Sequence, residues 1–189
     1  MATSDRQLIT TASHANTHQQ SVGLPATIFG SYVLLWIGTL LAALLAIPFA
    51  GDLRGGTIHP FPLASPGTPG MAAFIAANNV REATIPLLFA TLKIGGRRWP
   101  VILGDVVVGA SLAVNMALGG FALGSYGLGL LHYLPQWPLE WGGLALALTG
   151  WRRARRGRRD PYELALLAIT AAILLCLAAL IETYAVPQR

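Results

Sequence analysis

Five apolar stretches constrain this chain more than anything else in it: Thr27–Ala50, Gly70–Lys93, Pro100–Leu123, Ser125–Thr149 and Tyr162–Val186. About 20 helical residues, rising 1.5 Å each, cross the ~30 Å hydrocarbon core of a bilayer. Hydrocarbon offers no partner to a backbone N–H or C=O, so a crossing segment must satisfy its own. Runs of this length do so as helices. The expected fold is therefore all-α: a polytopic transmembrane bundle of about five spans, in one domain covering residues 27–189. Charged residues make up 11% of the chain and mean hydropathy is +0.57, against roughly 25% charged in soluble domains. Residues 1–26 are rich in Thr, Ser, Gln, His and Asn without an apolar period, which reads as a disordered cytoplasmic tail. The first apolar run is too long for the core of a secretory leader, and Arg6 alone precedes it, so it is expected to stay as a span.

Orientation follows from the loops. With the N-terminus inside, the cytoplasmic side receives Arg6, Lys93, Arg97, Arg98 and the six arginines between Arg152 and Arg159. The outside receives Arg54 and Arg189. Positive charge is retained on the cytoplasmic side, so the N-terminus is expected in the cytoplasm and the C-terminus outside, in a bacterial cytoplasmic membrane. The arginine run lies between two apolar spans and has no aromatic stacking platform, so membrane lipids rather than nucleic acid are its expected partners. Cys176 is the single cysteine; no intramolecular disulfide is possible, and a small apolar packing role suits it.

The fourth run is the least regular. Gly127, Gly129, Pro135 and Pro138 interrupt it, so it is either one kinked helix or a short re-entrant piece leading into a shorter span. The outer loop from Gly51 to Pro69 is dense in proline and glycine and either caps the bundle mouth or simply connects. Small residues at four-residue spacing, Gly38, Ala42, Ala46 and Ala50 on the first span and Gly120 and Gly124 on the third, invite close helix packing.

Charge inside the spans carries the functional question, because an intramembrane ionisable group is costly and marks a candidate site. Asn78, Asn79, Arg81 and Glu82 lie in the second run. Arg81 sits roughly 16 Å into its span and Glu140 about 14 Å from the cytoplasmic end of the fourth. Matching depths predict an Arg81–Glu140 pair, with Glu82 or Glu182 as second acid and the Asn amides filling the remaining hydrogen bonds. Gln136 and His132 precede Glu140 at four-residue steps, and Trp137, Trp141, Tyr126, Tyr133 and Tyr184 lie close in sequence or depth. Asp105, with Ser111 and Asn115, is a weaker polar group on the third span. No nucleotide-binding loop, zinc helix or nucleophile elbow occurs, so no cofactor or metal is expected.

The run Asn78-Asn79-Val80-Arg81, the later Pro135-Gln-Trp-Pro-Leu-Glu140 and the ending Ile181-Glu182-Thr-Tyr-Ala-Val-Pro187 resemble the stage II sporulation protein M family of bacterial membrane proteins. That family carries an Asn-Asn-x-Arg run, a Pro-His-Gly-x-x-Glu motif and a final apolar helix with a terminal Glu. Gln136 and Trp137 stand where the family has His and Gly, which speaks against a His-dependent activity here. The resemblance covers about Phe74 to Pro187. It implies a multi-spanning bundle that works beside other proteins, in engulfment machinery or next to transport and bacteriocin genes.

Two functions are compatible with these residues. One is a membrane scaffold or accessory subunit of an envelope or transport complex, with a membrane protein partner. The other is an integral-membrane enzyme, such as a terpene cyclase, acting on an isoprenoid or lipid substrate. Glu140, Glu82 or Glu182 would then donate a proton, Arg81 and Asn78 would position, and the aromatic rings would steady cationic intermediates.

Overall fold

The computed structural model describes residues 4–49, 67–91, 99–127, 130, 135–158 and 160–184. Five α-helices account for nearly all of them: α1 (Ser4–Ala46), continued by a 3-10 turn (Ile47–Phe49), α2 (Pro69–Thr91), α3 (Trp99–Tyr126), α4 (Trp137–Arg155) and α5 (Pro161–Tyr184). Three stretches are long and apolar enough to cross a membrane: Gly23–Phe49 within α1, Val101–Tyr126 within α3, and α5. The protein is thus all-α, with the candidate spans of a multi-pass membrane protein. The helix bounds of α1 take in the polar stretch expected to be an irregular tail. Extending an existing helix adds a hydrogen bond per residue without a new nucleus, whereas the apolar part begins only at Gly23.

Burial is distributed as in a body bathed by hydrocarbon. Leu34, Ile37, Leu41 and Leu45 on α1, Ile102, Val106, Val114 and Leu118 on α3, and Leu166, Ile169, Ile173 and Leu177 on α5 are all exposed. The charged and amide side chains of α2 and α4 lie mostly between helices. Helix α4 is the centre. Every residue from Gly143 to Gly150 is buried, and Leu144 and Leu148 share one apolar core with Leu35 of α1, Ala83 of α2, Val108 and Leu112 of α3 and Leu175 of α5.

Close approach at small residues sets the α1–α3 contact. A Cβ on Gly120 would sit 2.4 Å from the Ala42 side chain and 2.5 Å from the Thr39 carbonyl oxygen. One on Gly124 would sit 2.3 Å from the Ala43 carbonyl oxygen. The spacing legible in the sequence is therefore the packing seam, although Ala50 lies outside the described residues. Gly143 plays the same part against Leu175 and Ala171 of α5.

The fourth run is not one helix. Ser125 and Tyr126 complete α3, and Gly127, at φ +70°, takes the left-handed conformation that ends it, its N–H bonding to the Leu123 carbonyl. Helix α4 starts only at Trp137, with Pro138 in its first turn, where a missing N–H leaves no broken bond. It also runs past Thr149 to Arg155. There Gly157, at φ +82°, closes it: Gly157 N–H bonds to Ala154 and Arg158 N–H to Arg153, the paired bonds of a Schellman cap.

Trp137 lies against Gly119 of α3, seven residues short of Tyr126. At 1.5 Å per residue, α4 begins about 10 Å below the end of α3. Leu130 and Gln136, which lead into it, are buried. One face of the first turn of α4, carrying the buried Trp137, is thus set inside the bundle, while Pro138 is exposed.

A Gly120→Val variant should lose roughly 1–3 kcal/mol through overpacking, whereas Gly109→Ala, with nothing within 4 Å of the added Cβ, should stay within about 0.5 kcal/mol of wild type. Unfolding of both variants in mild detergent measures the difference; equal losses would mean that Gly120 is not at a packed seam.

Candidate functional site

Glu140 is the fourth residue of α4 and points its carboxyl toward α2, where Asn79 Nδ2 donates to Oε1 at 3.4 Å. On the next part of that face, Glu82 accepts from Asn115 Nδ2 of α3, and Asn115 also donates to the Ser111 carbonyl on its own helix at 3.0 Å. Three helices thus meet through two carboxyls and two amides. Glu182 of α5 lies near Glu140. An acidic group on a fourth helix completes the cluster.

Arg81 is not in it. The expected Arg81–Glu140 pair does not form; Arg81 is exposed and donates from Nη2 to Asn78 Oδ1, 3.0 Å away on its own helix. The reason is azimuthal. Residues of an α-helix advance about 100° each, so Asn79 and Arg81, two positions apart, point to nearly opposite sides of α2. Once Asn79 faces α4, Arg81 must face outward. Matching depths brought Arg81 and Glu140 to one level without asking which way each side chain turned.

Beside the carboxyl lies a pocket of about 170 Å³, lined by Asn115, Leu118, Gly119, Trp137, Glu140, Trp141 and Leu144. It lies between α3 and α4, at the level where α4 begins. Its indole rings are held from behind by Trp36 of α1, whose ring centroid is 6.3 Å from those of both Trp137 and Trp141 in edge-on geometry. Leu118 on the rim is 66% exposed, so the pocket opens to the apolar surface of the bundle. Gln136 occupies the N-cap position of α4 without a side-chain cap bond and is 2% exposed, its Oε1 buried without a partner among the described residues.

The remaining expected site residues fall elsewhere. Asp105 belongs to the opposite end of the bundle, where Arg155 pairs with it at 2.7 Å and also donates to the Val101 carbonyl. Tyr126 closes α3, and Tyr184, exposed, ends α5. His132 and Tyr133 lie outside the described residues, as do His59 and the side chains of His14 and His18. Among the described residues no group of His, Cys, Asp and Glu could hold a metal ion.

Two further residues belong to the site. Asn115, near Asp105 and Ser111 in sequence, turns to Glu82 and the pocket. Trp36 carries a signal in its position: it lies halfway along its span, away from the membrane interface where tryptophans usually gather.

The basic end of the bundle is organised by ion pairs. Arg153 engages both carboxyl oxygens of Glu163 across α4 and α5, through Nε and, at 2.7 Å, through Nη2. Arg152 donates to Ser31 Oγ at 3.2 Å, and Thr149 Oγ1 lies 3.1 Å from the same oxygen, joining α4 to α1. Arg156 and Arg158 are exposed.

Comparison with protein-family models, with curated proteins and with solved structures finds no match to this chain.

The two ion pairs should differ sharply in what their loss does. Side-chain exposure is 4% and 19% for Arg153 and Glu163 but 18% and 42% for Arg155 and Asp105. Glu163→Gln strands a buried guanidinium and should destabilise by about 3–5 kcal/mol, while Asp105→Asn should cost about 0–1 kcal/mol. Parallel detergent unfolding curves test that order; the reverse ranking would refute it.

Proposed function

We propose that this protein is an integral membrane scaffold or accessory subunit of a bacterial envelope or transport complex. The observation that carries this reading is the outward turn of Arg81. It lies twelve residues after Pro69 and ten before Thr91, in the middle of α2, and shares an exposed strip with Phe74, Ala77 and Leu88. A guanidinium near the bilayer centre costs about 2.5–3.5 kcal/mol on insertion scales, and Asn78 supplies one acceptor for its five donors. A carboxylate on a neighbouring membrane protein would satisfy the fork in two parallel hydrogen bonds. The site of this chain's own carboxyls faces the other way. The resemblance of the Asn-Asn-Val-Arg run to the stage II sporulation protein M family supports the same role.

In this reading the chain crosses the cytoplasmic membrane five times, with α2 and α4 as the polar inner spans. The clustering of Arg152, Arg153, Arg155, Arg156 and Arg158 at one end favours that end, and the N-terminus with it, in the cytoplasm. The start of α4 below the end of α3 favours the reading in which a short re-entrant piece leads into a shorter span; residues 128–129 and 131–134 of that piece lie outside the described residues.

Mass spectrometry of the protein purified gently from its native membrane tests the proposal. A stoichiometric membrane protein partner is expected, and Arg81→Ala should release it while leaving the thermal midpoint of the chain unchanged. A wild-type protein that runs alone would overturn the reading.

The pocket beside Glu140 favours a second reading, in which the carboxyl of Glu140 starts acid chemistry on an isoprenoid held against Trp137 and Trp141. A lone protein carrying such a molecule, with Glu140→Gln folded but unable to turn it over, is the expected result; full turnover by that variant excludes this chemistry.

A further inference from the structure

The polar groups that line the pocket are unusually one-sided. Asn115 spends its amide N–H groups on Glu82 and on the Ser111 carbonyl, and Asn79 reaches Glu140 from behind. Among the described residues, no hydrogen bond reaches Glu140 Oε2 or Asn115 Oδ1, and both residues line the cavity. Two acceptors therefore face a space whose other walls are Trp137, Trp141, Leu118, Leu144 and the backbone of Gly119. Among the described residues no Lys, Arg or His lines it, and the guanidinium of α2 is turned outward. Glu182 adds a second carboxyl nearby.

An environment of acceptors, carboxyls and electron-rich rings, with no cationic side chain among the described lining residues, lacks what an anion or a phosphate requires. It suits a ligand that brings its own positive charge and N–H donor. Indole rings attract such a cation through their quadrupole, most strongly where water is excluded. Leu118 and Leu144 suit an alkyl arm. At about 30 Å³ per water molecule, 170 Å³ equals the volume of five or six waters, which is room for a substituted ammonium group with the first carbons of its chain. The opening at Leu118 lets such an amphiphile enter sideways from the bilayer.

We propose that the α3–α4 pocket binds a lipophilic alkylammonium, with Glu140 as counter-charge, Asn115 Oδ1 as second acceptor and Trp137 and Trp141 as the aromatic wall. The proposal goes beyond the accessory role. It shares its pocket with the isoprenoid reading, since the same groups would steady a carbocation, but it requires binding only and no turnover.

The test uses the full chain in nanodiscs, radiolabelled N,N-dimethylhexylamine as probe, and hexanol as the uncharged competitor of equal chain length. Saturable binding at one site per chain is expected, undiminished by hexanol and weakened at least tenfold in Glu140→Gln. Leu118→Trp should also abolish it by filling the rim from the exposed side, and because Leu118 makes little buried contact this variant retains the fold even if Glu140→Gln does not. Equal competition by hexanol, or full affinity in either folded variant, overturns the proposal. Loss of amine binding with isoprenoid turnover intact would sink this inference and leave the enzymatic reading standing.

Discussion

Helix α4 can be surrounded on all sides only because the residues at its contacts are small or apolar where neighbours approach and polar where a partner waits. Gly143 lets α5 come close, Thr149 meets Ser31 of α1, and Glu140 meets Asn79 of α2. Everything else is arranged around that enclosure. The outer helices α1, α3 and α5 present Leu, Ile and Val to the surroundings, as a body in hydrocarbon must. A polar group on such a surface would have no solvent to turn to, so the carboxyls and amides collect where helices can answer one another.

The same constraint explains the division of the molecule into two ends. Arginines gather at the C-terminal end of α4, where the helix dipole favours positive charge and where Glu163 and Asp105 provide partners. At the opposite end α4 stops short, its first turn set about 10 Å below the end of α3. A helix beginning inside the bundle brings its free N–H groups and the first-turn Glu140 to mid-depth together. This is how the chain builds a pocket from only five helices. Discontinuous helices serve the same purpose in transporters, where irregular backbone lines a binding cavity.

Arg81 shows how a correct list of residues can yield a wrong pairing. Its depth and its polar neighbours were legible, and Asn79 and Glu140 do meet as members of one cluster. The rotation of α2 was not legible, because Asn78, Asn79, Arg81 and Glu82 together spread over about 160° of the helix circumference at 100° per residue. Such a run leaves several faces open. Packing of Ala83 into the core and of Asn79 against α4 chose one, and Arg81 went to the outside. Asn115 was misassigned for the related reason that its nearest polar neighbours in sequence, Ser111 and Asp105, lie on its own helix while its carboxylate partner lies on α2.

By itself the sequence determined the number of helices and the approximate bounds of α2, α3 and α5, the seam of small residues between α1 and α3, and the concentration of charge at one end. These are local properties: length, composition and spacing act within a single segment, and backbone hydrogen bonds in an apolar medium leave a helix no alternative. Tertiary structure alone decided which helix occupies the centre, where α4 starts, and which side of α2 faces inward. Those choices depend on rotation and register between segments far apart in the chain, where a shift of one residue turns a side chain by 100° and exchanges a buried partner for an exposed one.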